Sequence, residues 1–287
     1  MTIASILALL DGDEGSAAVL EAAFSLARQH GAYLEVLHVQ PDPREGIPLI
    51  ADGMTGTMVT QVMSDIRERG EAQSREALRL FEESCKKADL PANNAEVNIP
   101  GRGRAAWRLV EGRPEVELSQ RGLLFDLIVL PQPRAEKEGL AAAGLEAALF
   151  DVGGPVLVVP GSLNEVIGKK VLVTWNGRRE AARAMTAALP LLQRAKQVTV
   201  VSVEEGARVA DPAAAAARLA LHHIEADSQL ISGGKLPGES LLREAEALEA
   251  DLIVMGAYGH SRLRQFIVGG VTRRLLAEAR IPLLMAH

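Results

Sequence analysis

One sequence pattern occurs twice in the 287 residues, once in each half of the chain. The apolar run and turn ILALLDG begins at Ile6, and its counterpart VLVTWNG begins at Val171. An alanine-rich helical segment and a second apolar run follow each of them. Further along, DLIVL at Asp126 is matched by DLIVM at Asp251. Because these features keep their order, we infer a tandem duplication, and the fold of one half should recur in the other.

Short apolar runs alternate with helical segments in both halves. Continuous apolar strands of this kind are buried on both faces, which is typical of a parallel sheet covered by helices. Right-handed crossovers then make each half an open α/β layered structure, which binds ligands beyond the carboxyl ends of its strands. We expect one domain over residues 1–162 and a second over 168–287, joined by a polar linker at 160–170.

Composition and charge limit the classes of function. The formal net charge of −6 gives no expectation of nucleic-acid or anionic-membrane binding. No apolar run approaches the ~18 residues of a membrane span, and the first run, which stops at Asp11, is interpreted as a strand and not as a signal peptide. The single cysteine, Cys85, fits a cytoplasmic protein. No clustering of Cys and His in the sequence suggests a metal site.

The segment GAYGHSRLRQFIVGGVTRRLL follows DLIVM and places four glycines between a strand and a helix. Gly256 and Gly259 come directly after the strand, and Gly269 and Gly270 precede a helical pattern that starts at Val271. Glycine allows a ligand to approach the backbone closely. The first N–H groups of a helix have no partner within the helix and favour an anion. This glycine segment, residues 256–272, therefore predicts a phosphate site in the second half.

Polar side chains in the glycine segment extend this prediction. Thr272 would add a hydroxyl, and His260, Arg262 and Arg264 would add positive charge, with a purely solvated role for each as the alternative. A single glycine often only makes a tight turn or ends a helix. The set of glycines, with a strand before it and a helix after it, is what favours phosphate binding.

The spacing Gly-x2-Gly-x9-Gly, followed by Gly-Val-Thr, resembles the nucleotide-binding motif of the universal stress protein family, and the repeat extends this resemblance to both halves. The resemblance implies a five-stranded parallel sheet in each half and ATP or a related adenine nucleotide, with Mg as a candidate companion, in the second. It implies that the phosphate-binding loop consists of Gly256, Gly259, Gly269, Gly270, Val271 and Thr272. It also implies that the halves pair as an intrachain pseudo-dimer through the last strands, PVLVVP and PLLMAH, with a homodimer of whole chains as a further option.

Other residues of the second half would surround the sugar and the base. The resemblance puts Asn176 where the family often has Asp near the sugar, and puts Met255 and Val203 near the base or ribose. Gly177 completes the turn after the first strand of this half. Trp175 is interpreted equally as a packing residue or as part of the crevice.

The first half departs from the motif. Pro131, Pro133 and Arg134 stand in the place of the first two glycines, and proline has no N–H to offer a phosphate. Only Gly144 stands where the second half has a glycine pair. We therefore expect a degenerate first half and one nucleotide per chain. In the second half, Gly270 replaces the usual Ser or Thr of the family, which removes a hydroxyl and keeps the backbone N–H.

Three hypotheses for function follow. The first is a nucleotide-binding protein of stress response or signalling. The second is an interaction module without nucleotide that docks to an unidentified protein partner. The third is a slow ATPase, although no residue is an obvious base for activating water, so we name no catalytic residue and do not expect an enzyme.

Two further segments are interpreted without assigning them a function. GRGRAA, from Gly101, matches a dinucleotide fingerprint, but the strand expected before it, AEVNI, is short and half polar, so we discount the match. Residues 40–60 are interpreted as an ordered surface loop over a site or an interface, or as a tolerated insertion.

Overall fold

The structure, a computed structural model, describes residues 2–13, 15–44, 55–90, 103–133, 140–163, 167–204, 209–232, 234, 236–257 and 270–287. The first half contains β1 (Ser5–Leu10), α1 (Ser16–His30), β2 (Tyr33–Gln40), α2 (Gly56–Ala88), β3 (Arg104–Glu111), α3 (Pro114–Arg121), β4 (Leu127–Pro131), α4 (Leu140–Glu146) and β5 (Val156–Val159). The second half contains β6 (Lys170–Thr174), α5 (Arg179–Leu192), β7 (Gln197–Glu204), α6 (Pro212–Ala220), β8 (Asp227–Ser232), α7 (Pro237–Ala247), β9 (Leu252–Gly256), α8 (Gly270–Glu278) and β10 (Leu283–Ala286). A 3₁₀ turn at Gly122–Leu124 follows α3, and a π-helical turn at Ala147–Val152 continues α4.

These ten strands form one sheet, in the order β3-β2-β1-β4-β5-β10-β9-β6-β7-β8. The order of strands in the first half is repeated in the second, and neighbouring strands within each half are parallel. The predicted α/β fold with two repeated parallel sheets and flanking helices is therefore confirmed.

The two halves meet at an antiparallel pair of strands, β5 and β10. The residue pairs are Val158–Leu283, Leu157–Leu284 and Val156–Met285. Each of these side chains is at most 1% exposed. Without this contact β5 and β10 would be edge strands with unpaired backbone groups. The pairing satisfies both edges and joins the two five-stranded sheets into one, which confirms the predicted pseudo-dimer.

Helices bury both faces of the sheet. In β1, Ile6, Ala8 and Leu10 belong to one apolar core, whereas Leu7 and Leu9 belong to the other. Successive side chains of a strand point to opposite faces. Residues of α1, α2, α5 and α6 complete the first core, and residues of α3, α4, α7 and α8 complete the second. Burial on both sides is the physical reason for the continuous apolar runs in the sequence.

The repeated Asp of the DLIV pattern fastens the amino end of each half's first strand. Asp126 Oδ2 accepts hydrogen bonds from the backbone N–H groups of Ala4 and Ser5 at 2.8 and 3.0 Å. The Asp251 carboxylate accepts four such bonds, at 2.7 to 3.0 Å, from the N–H groups of residues 168–170. Both Asp residues lie at the opposite edge of the sheet from the candidate site. Their recurrence therefore reflects the shared fold of the two halves and not a shared binding site.

Helix α2 begins earlier than the sequence analysis expects. Residues 40–60 are predicted as a loop, but α2 starts at Gly56 and runs for 33 residues. Val59 and Val62, one helical turn apart, are half-buried, which favours helix over loop here. The loop prediction is therefore wrong for the last part of the segment, and residues 45–54 lie outside the described residues.

Within the described ranges, neither α2 nor any other helix is long and apolar enough to cross a membrane.

The third strand of the first half overlaps the discounted GRGRAA motif. β3 starts at Arg104, directly after Gly103, so the end of the motif lies in a strand and not at the start of a helix. The strand AEVNI, expected at 95–99, lies outside the described residues. Sequence analysis missed β3 because this strand is at the edge of the sheet and is exposed along much of its length, so charged residues interrupt its apolar pattern.

Candidate functional site at the carboxyl ends of β9, β6 and β7

The candidate site lies at the carboxyl ends of three neighbouring strands in the second half. In the sheet, β6 lies between β9 and β7. Gly256 ends β9, Trp175 follows β6, and Val203 is next to the last residue of β7. The structure therefore brings these predicted residues to one edge of the sheet, where open α/β folds bind ligands.

The turn after β6 is fixed by hydrogen bonds and remains exposed. Trp175 N–H donates to the carbonyl oxygen of Val201 at 2.8 Å, and the buried hydroxyl of Ser202 donates to the carbonyl oxygen of Trp175 at 2.9 Å. Asn176 Oδ1 accepts a hydrogen bond from the N–H of Arg178 at 3.1 Å. Gly177 has a φ of +70°, which glycine adopts without strain. Asn176 and Gly177 are thus presented to solvent on a rigid turn.

Gly256 is required by packing. A Cβ at this position would lie 2.5 Å from Ala181 N and 2.9 Å from Glu180 Cβ, both in the first turn of α5. No side chain fits there without moving the helix. The absence of a side chain brings the amino end of α5 against the end of β9. The first glycine of the motif therefore has a structural role that is independent of any ligand.

Glu180 is a charged residue of this region that sequence analysis missed. It is 5% exposed and pairs with Arg179, whose Nε lies 2.6 Å from Glu180 Oε1. Burial alone raises the pKa of the Glu180 carboxyl, but hydrogen bonds from the Arg179 side chain and from its own backbone N–H, and the charge of Arg179, lower that pKa overall. A buried acidic residue therefore lies beside Gly256, with its Cβ against the glycine. Its position on the buried face of α5, one turn before Ala184, is the sequence signal that could have identified it.

The amino end of α8 combines an exposed glycine with buried anchors. Gly270 is exposed, and a Cβ at its position would have no atom within 4 Å. Thr272 is only 6% exposed, and Leu275 is fully buried. Gly238 of α7 packs closely on the next turn, because a Cβ there would lie 3.0 Å from that of Arg274. The helix is held firmly while its first residue stays open to solvent.

The remaining predicted residues divide into three groups. Met255 is 2% exposed and belongs to the core, whereas Val203 is half-buried and packs against the same core. Trp175 and Val271 are also half-buried and pack against the apolar cores. The residues that lie outside the described part of the chain are Gly259, His260, Arg262, Arg264 and Gly269.

Helix α2 covers the equivalent crevice of the first half. A Cβ on Gly12, the counterpart of Gly177, would lie 2.9 Å from the carbonyl oxygen of Gln73 in the middle of α2. Asp11, the counterpart of Asn176, is half-buried, and its Oδ1 accepts a hydrogen bond from Ser16 Oγ at 3.1 Å. In the second half the two corresponding residues are exposed.

At two equivalent positions of the sheet, the first half has aromatic rings and the second half has serine side chains. His38 occupies on β2 the register position that Ser202 occupies on β7. The His38 ring is 1% exposed and stacks on Trp107, with the ring centroids 6.0 Å apart. In the same register, the counterpart of Trp107 is Ser228, which is exposed. The two crevices therefore differ in both cover and filling.

Pro131 ends β4 at the position that Gly256 holds at the end of β9, since each lies opposite the last residue of the half's final strand. It is buried and extends the strand, whereas Pro133 is half-buried just beyond it. Gly144 lies buried inside α4, with a Cβ site 3.2 Å from Leu118, so it offers no free helix end. Arg134 lies outside the described residues.

No group of three or more His, Cys, Asp or Glu side chains in the described ranges is arranged to hold a metal ion. A nucleotide-bound magnesium ion would instead depend largely on phosphate oxygens, as is usual for this ion.

Comparison with known proteins gives one family. The model of the universal stress protein family matches residues 2–98 and 168–287. Universal stress protein Slr1230 of Synechocystis sp. (strain PCC 6803) is 28% identical over 173 residues, which cover 56% of this chain and 57% of that protein. Stress response protein NhaX of Bacillus subtilis is 35% identical over 71 residues, covering 25% of this chain and 43% of that one. The chain thus spans about half the length of the curated relatives it matches.

Solved structures share the two-half architecture. A universal stress protein from Archaeoglobus fulgidus DSM 4304 aligns with a TM-score of 0.67 at 18% identity, covering 98% of this chain and 97% of that one. A functionally unknown protein, PA1789 from Pseudomonas aeruginosa PAO1, aligns with a TM-score of 0.57 at 16% identity, covering 98% and 92%. At these identities the likeness shows the fold. Together with the family match in both halves, it shows that the chain belongs to the universal stress protein family as a tandem of two repeats.

Proposed function

We propose that the protein binds one adenine nucleotide, ATP or a close relative, in the crevice of the second half and none in the first. The observation that carries the proposal is the contrast between the two crevices. Asn176 and Gly177 are exposed at the carboxyl end of β6, whereas the equivalent Asp11 and Gly12 lie under α2. Only the second half also has the glycine segment.

The phosphates would bind at the amino end of α8. The N–H groups of Gly270, Val271 and Thr272 are in the first turn, where no intrahelical partner exists, and the helix dipole favours an anion there. Because Thr272 is almost buried, its contribution would be its backbone N–H and not its hydroxyl. The family resemblance adds Gly259 and Gly269 as backbone contacts, and His260 and Arg262 would add charge.

The sugar and the base would lie along the ends of β6 and β7. Asn176 would hydrogen-bond a ribose hydroxyl, and the half-buried Val203 would contact the base. Met255 is buried beneath this surface, so it would shape the floor of the crevice. Trp175 packs against the core, and both its backbone groups are bonded to β7, which supports a role as a wall and not as a stacking platform.

A first experiment tests occupancy directly. The full chain is purified without added nucleotide, denatured, and its small-molecule content identified by mass spectrometry, before and after soaking with ATP and magnesium followed by desalting. We expect an adenine nucleotide in amounts approaching one per chain. Its absence after soaking would favour the docking module.

Slow hydrolysis would appear in the same samples as ADP that accumulates with time. Cytoplasmic localisation would be tested separately, by fractionating cells that express the full chain.

A further inference from the structure

A side chain from the first half caps the helix that begins at the candidate phosphate site. Gln132 follows β4, and its Nε2 donates hydrogen bonds to the carbonyl oxygens of Leu276 at 2.6 Å and Ala279 at 3.2 Å. The last carbonyl groups of a helix have no intrahelical partner. The carbonyl of Leu275 is satisfied within the second half by the N–H of Ala279, whereas that of Leu276 accepts the shorter of the two bonds from Gln132.

A second contact, which the first half supports indirectly, holds the residue that precedes 258–269. His287 Nδ1 lies 3.1 Å from the carbonyl oxygen of Ala257 and, because a carbonyl only accepts, carries the proton. The His287 and Phe150 rings meet in a T-shaped arrangement with the centroids 4.7 Å apart. Arg183 Nη1 donates to the His287 carbonyl oxygen at 2.8 Å. The ring that binds Ala257 is therefore positioned from both halves.

The two contacts act on opposite sides of residues 258–269. One positions Ala257, directly before them, and the other fixes the carboxyl end of α8, which begins directly after them at Gly270. α8 has nine residues, so it spans only about 13 Å and moves as a rigid body. A displacement at Leu276 is consequently passed on to the N–H groups at Gly270–Thr272.

We propose that the first half is the positioning element of the nucleotide site in the second half, with Gln132 as its principal positioning residue. This inference rests on the proposed function. Pro131-Gln132-Pro133 stands where the second half has the first glycines of its motif. In place of those glycines it provides a side-chain donor, Gln132, which reaches across the β5–β10 pair to the second half. The rigid φ of the two prolines holds the Gln132 backbone, and its N–H is fixed to the carbonyl oxygen of Val159 at 2.8 Å.

The test uses two substitutions that introduce opposite charges at Gln132. Gln132→Glu keeps the shape, removes the donor and places negative charge at a helix carboxyl end, which is unfavourable. Gln132→Lys restores a donor with favourable charge. We expect Gln132→Glu to weaken ATP binding about tenfold, equal to about 1.4 kcal/mol, and Gln132→Lys to stay close to wild type. Calorimetric titration of the full chain measures this.

Two controls separate positioning from general stability. Asp126→Asn perturbs the first half at the opposite edge of the sheet, and its cost in urea unfolding is compared with that of Gln132→Glu. Hydrogen exchange of the amides in α8, measured without nucleotide, should speed up in Gln132→Glu and not in Asp126→Asn. Unchanged exchange in α8, or ATP affinity that follows stability equally in both variants, would overturn the inference. If the exchange result holds but the wild-type chain binds no nucleotide, the proposed function and the role of Gln132 in it both fail, while the mechanical link stands.

Discussion

His38 Nδ1 lies 3.0 Å from the carbonyl oxygen of Leu10, at the end of β1. Ser202 and Trp175 make the equivalent bond in the second half. The same backbone carbonyl is thus satisfied by a ring in the first half and by a hydroxymethyl group in the second. The larger group, with Trp107 stacked on it, takes up space at the end of the first-half sheet where the described residues of the second half place Ser202 and Ser228.

The pH dependence of stability should reflect His38. Burial lowers its pKa from 6.5, against the smaller raising effect of the Leu10 hydrogen bond, and His38 Nε2 is buried without a partner among the described residues. The unfolded chain therefore binds a proton at a higher pH than the folded one, and stability should fall as pH decreases below about 6.5. Burial and the charge of Arg194 lower the pKa of His30, which adds to this loss.

Urea unfolding at pH 7.5 and 5.5 measures the effect, with the wild-type chain compared with His38→Ser. We expect the serine variant to lose less stability between the two pH values, since serine makes the equivalent bond in the second half. His222→Ser, in the turn after α6, is the matched control. An equal loss in wild type and His38→Ser would show that His38 does not contribute.

Substitution of the two repeated Asp residues, Asp126 and Asp251, should lower the free energy of unfolding by different amounts. Asp251→Asn removes part of a set of four backbone hydrogen bonds and leaves partly buried N–H groups without acceptors, which costs about 1–3 kcal/mol. Asp126→Asn affects two backbone bonds at a more exposed position and should cost less. Urea unfolding near pH 7 compares them. An equal or larger cost for Asp126→Asn would mean that bond number does not govern the effect.

Two glycines of the same motif should respond oppositely to alanine. Gly256→Ala forces a methyl group to 2.5 Å from Ala181 N, and overpacking of this kind costs about 1–3 kcal/mol. Gly270→Ala meets no atom within 4 Å and replaces glycine in a helix with the best helix former, so it should be neutral or stabilising. Thermal unfolding of the two variants distinguishes them. A tolerated Gly256→Ala would mean that β9 and α5 are free to separate.

The fold was predictable because repetition and buried apolar strands are local signals. Leu157 and Leu284 lie in such strands, and the resemblance implied their pairing, which the sheet confirms. Side-chain contacts between residues far apart in the sequence have no such local signal. Gln132 reaches Leu276 across 144 positions, and nothing in the sequence around it indicates that partner.

Part of the candidate site was also visible in the sequence. Asn176 and Gly177 follow β6 and Gly256 ends β9. Their place at the ends of predicted strands and the family resemblance together made them candidates. Glu180 was not identified, because its place beside Gly256 depends on the packing of α5 against β9, a tertiary contact that Gly256 permits. The cover of the first-half crevice was missed for a related reason, since it depends on the path of α2 over Gly12.

The central claim is one nucleotide per chain, bound at the amino end of α8, and two substitutions at Gly270 test it most directly. Gly270→Asp puts a carboxylate where a phosphate would bind, yet acidic residues stabilise a helix amino end, so folding should be kept. Gly270→Ser is the matched control. Calorimetric titration with ATP and magnesium should give a stoichiometry near one for wild type and Gly270→Ser and no binding for Gly270→Asp, with all three equally stable to heat. A stoichiometry near two, or wild-type affinity in a folded Gly270→Asp variant, would contradict the claim.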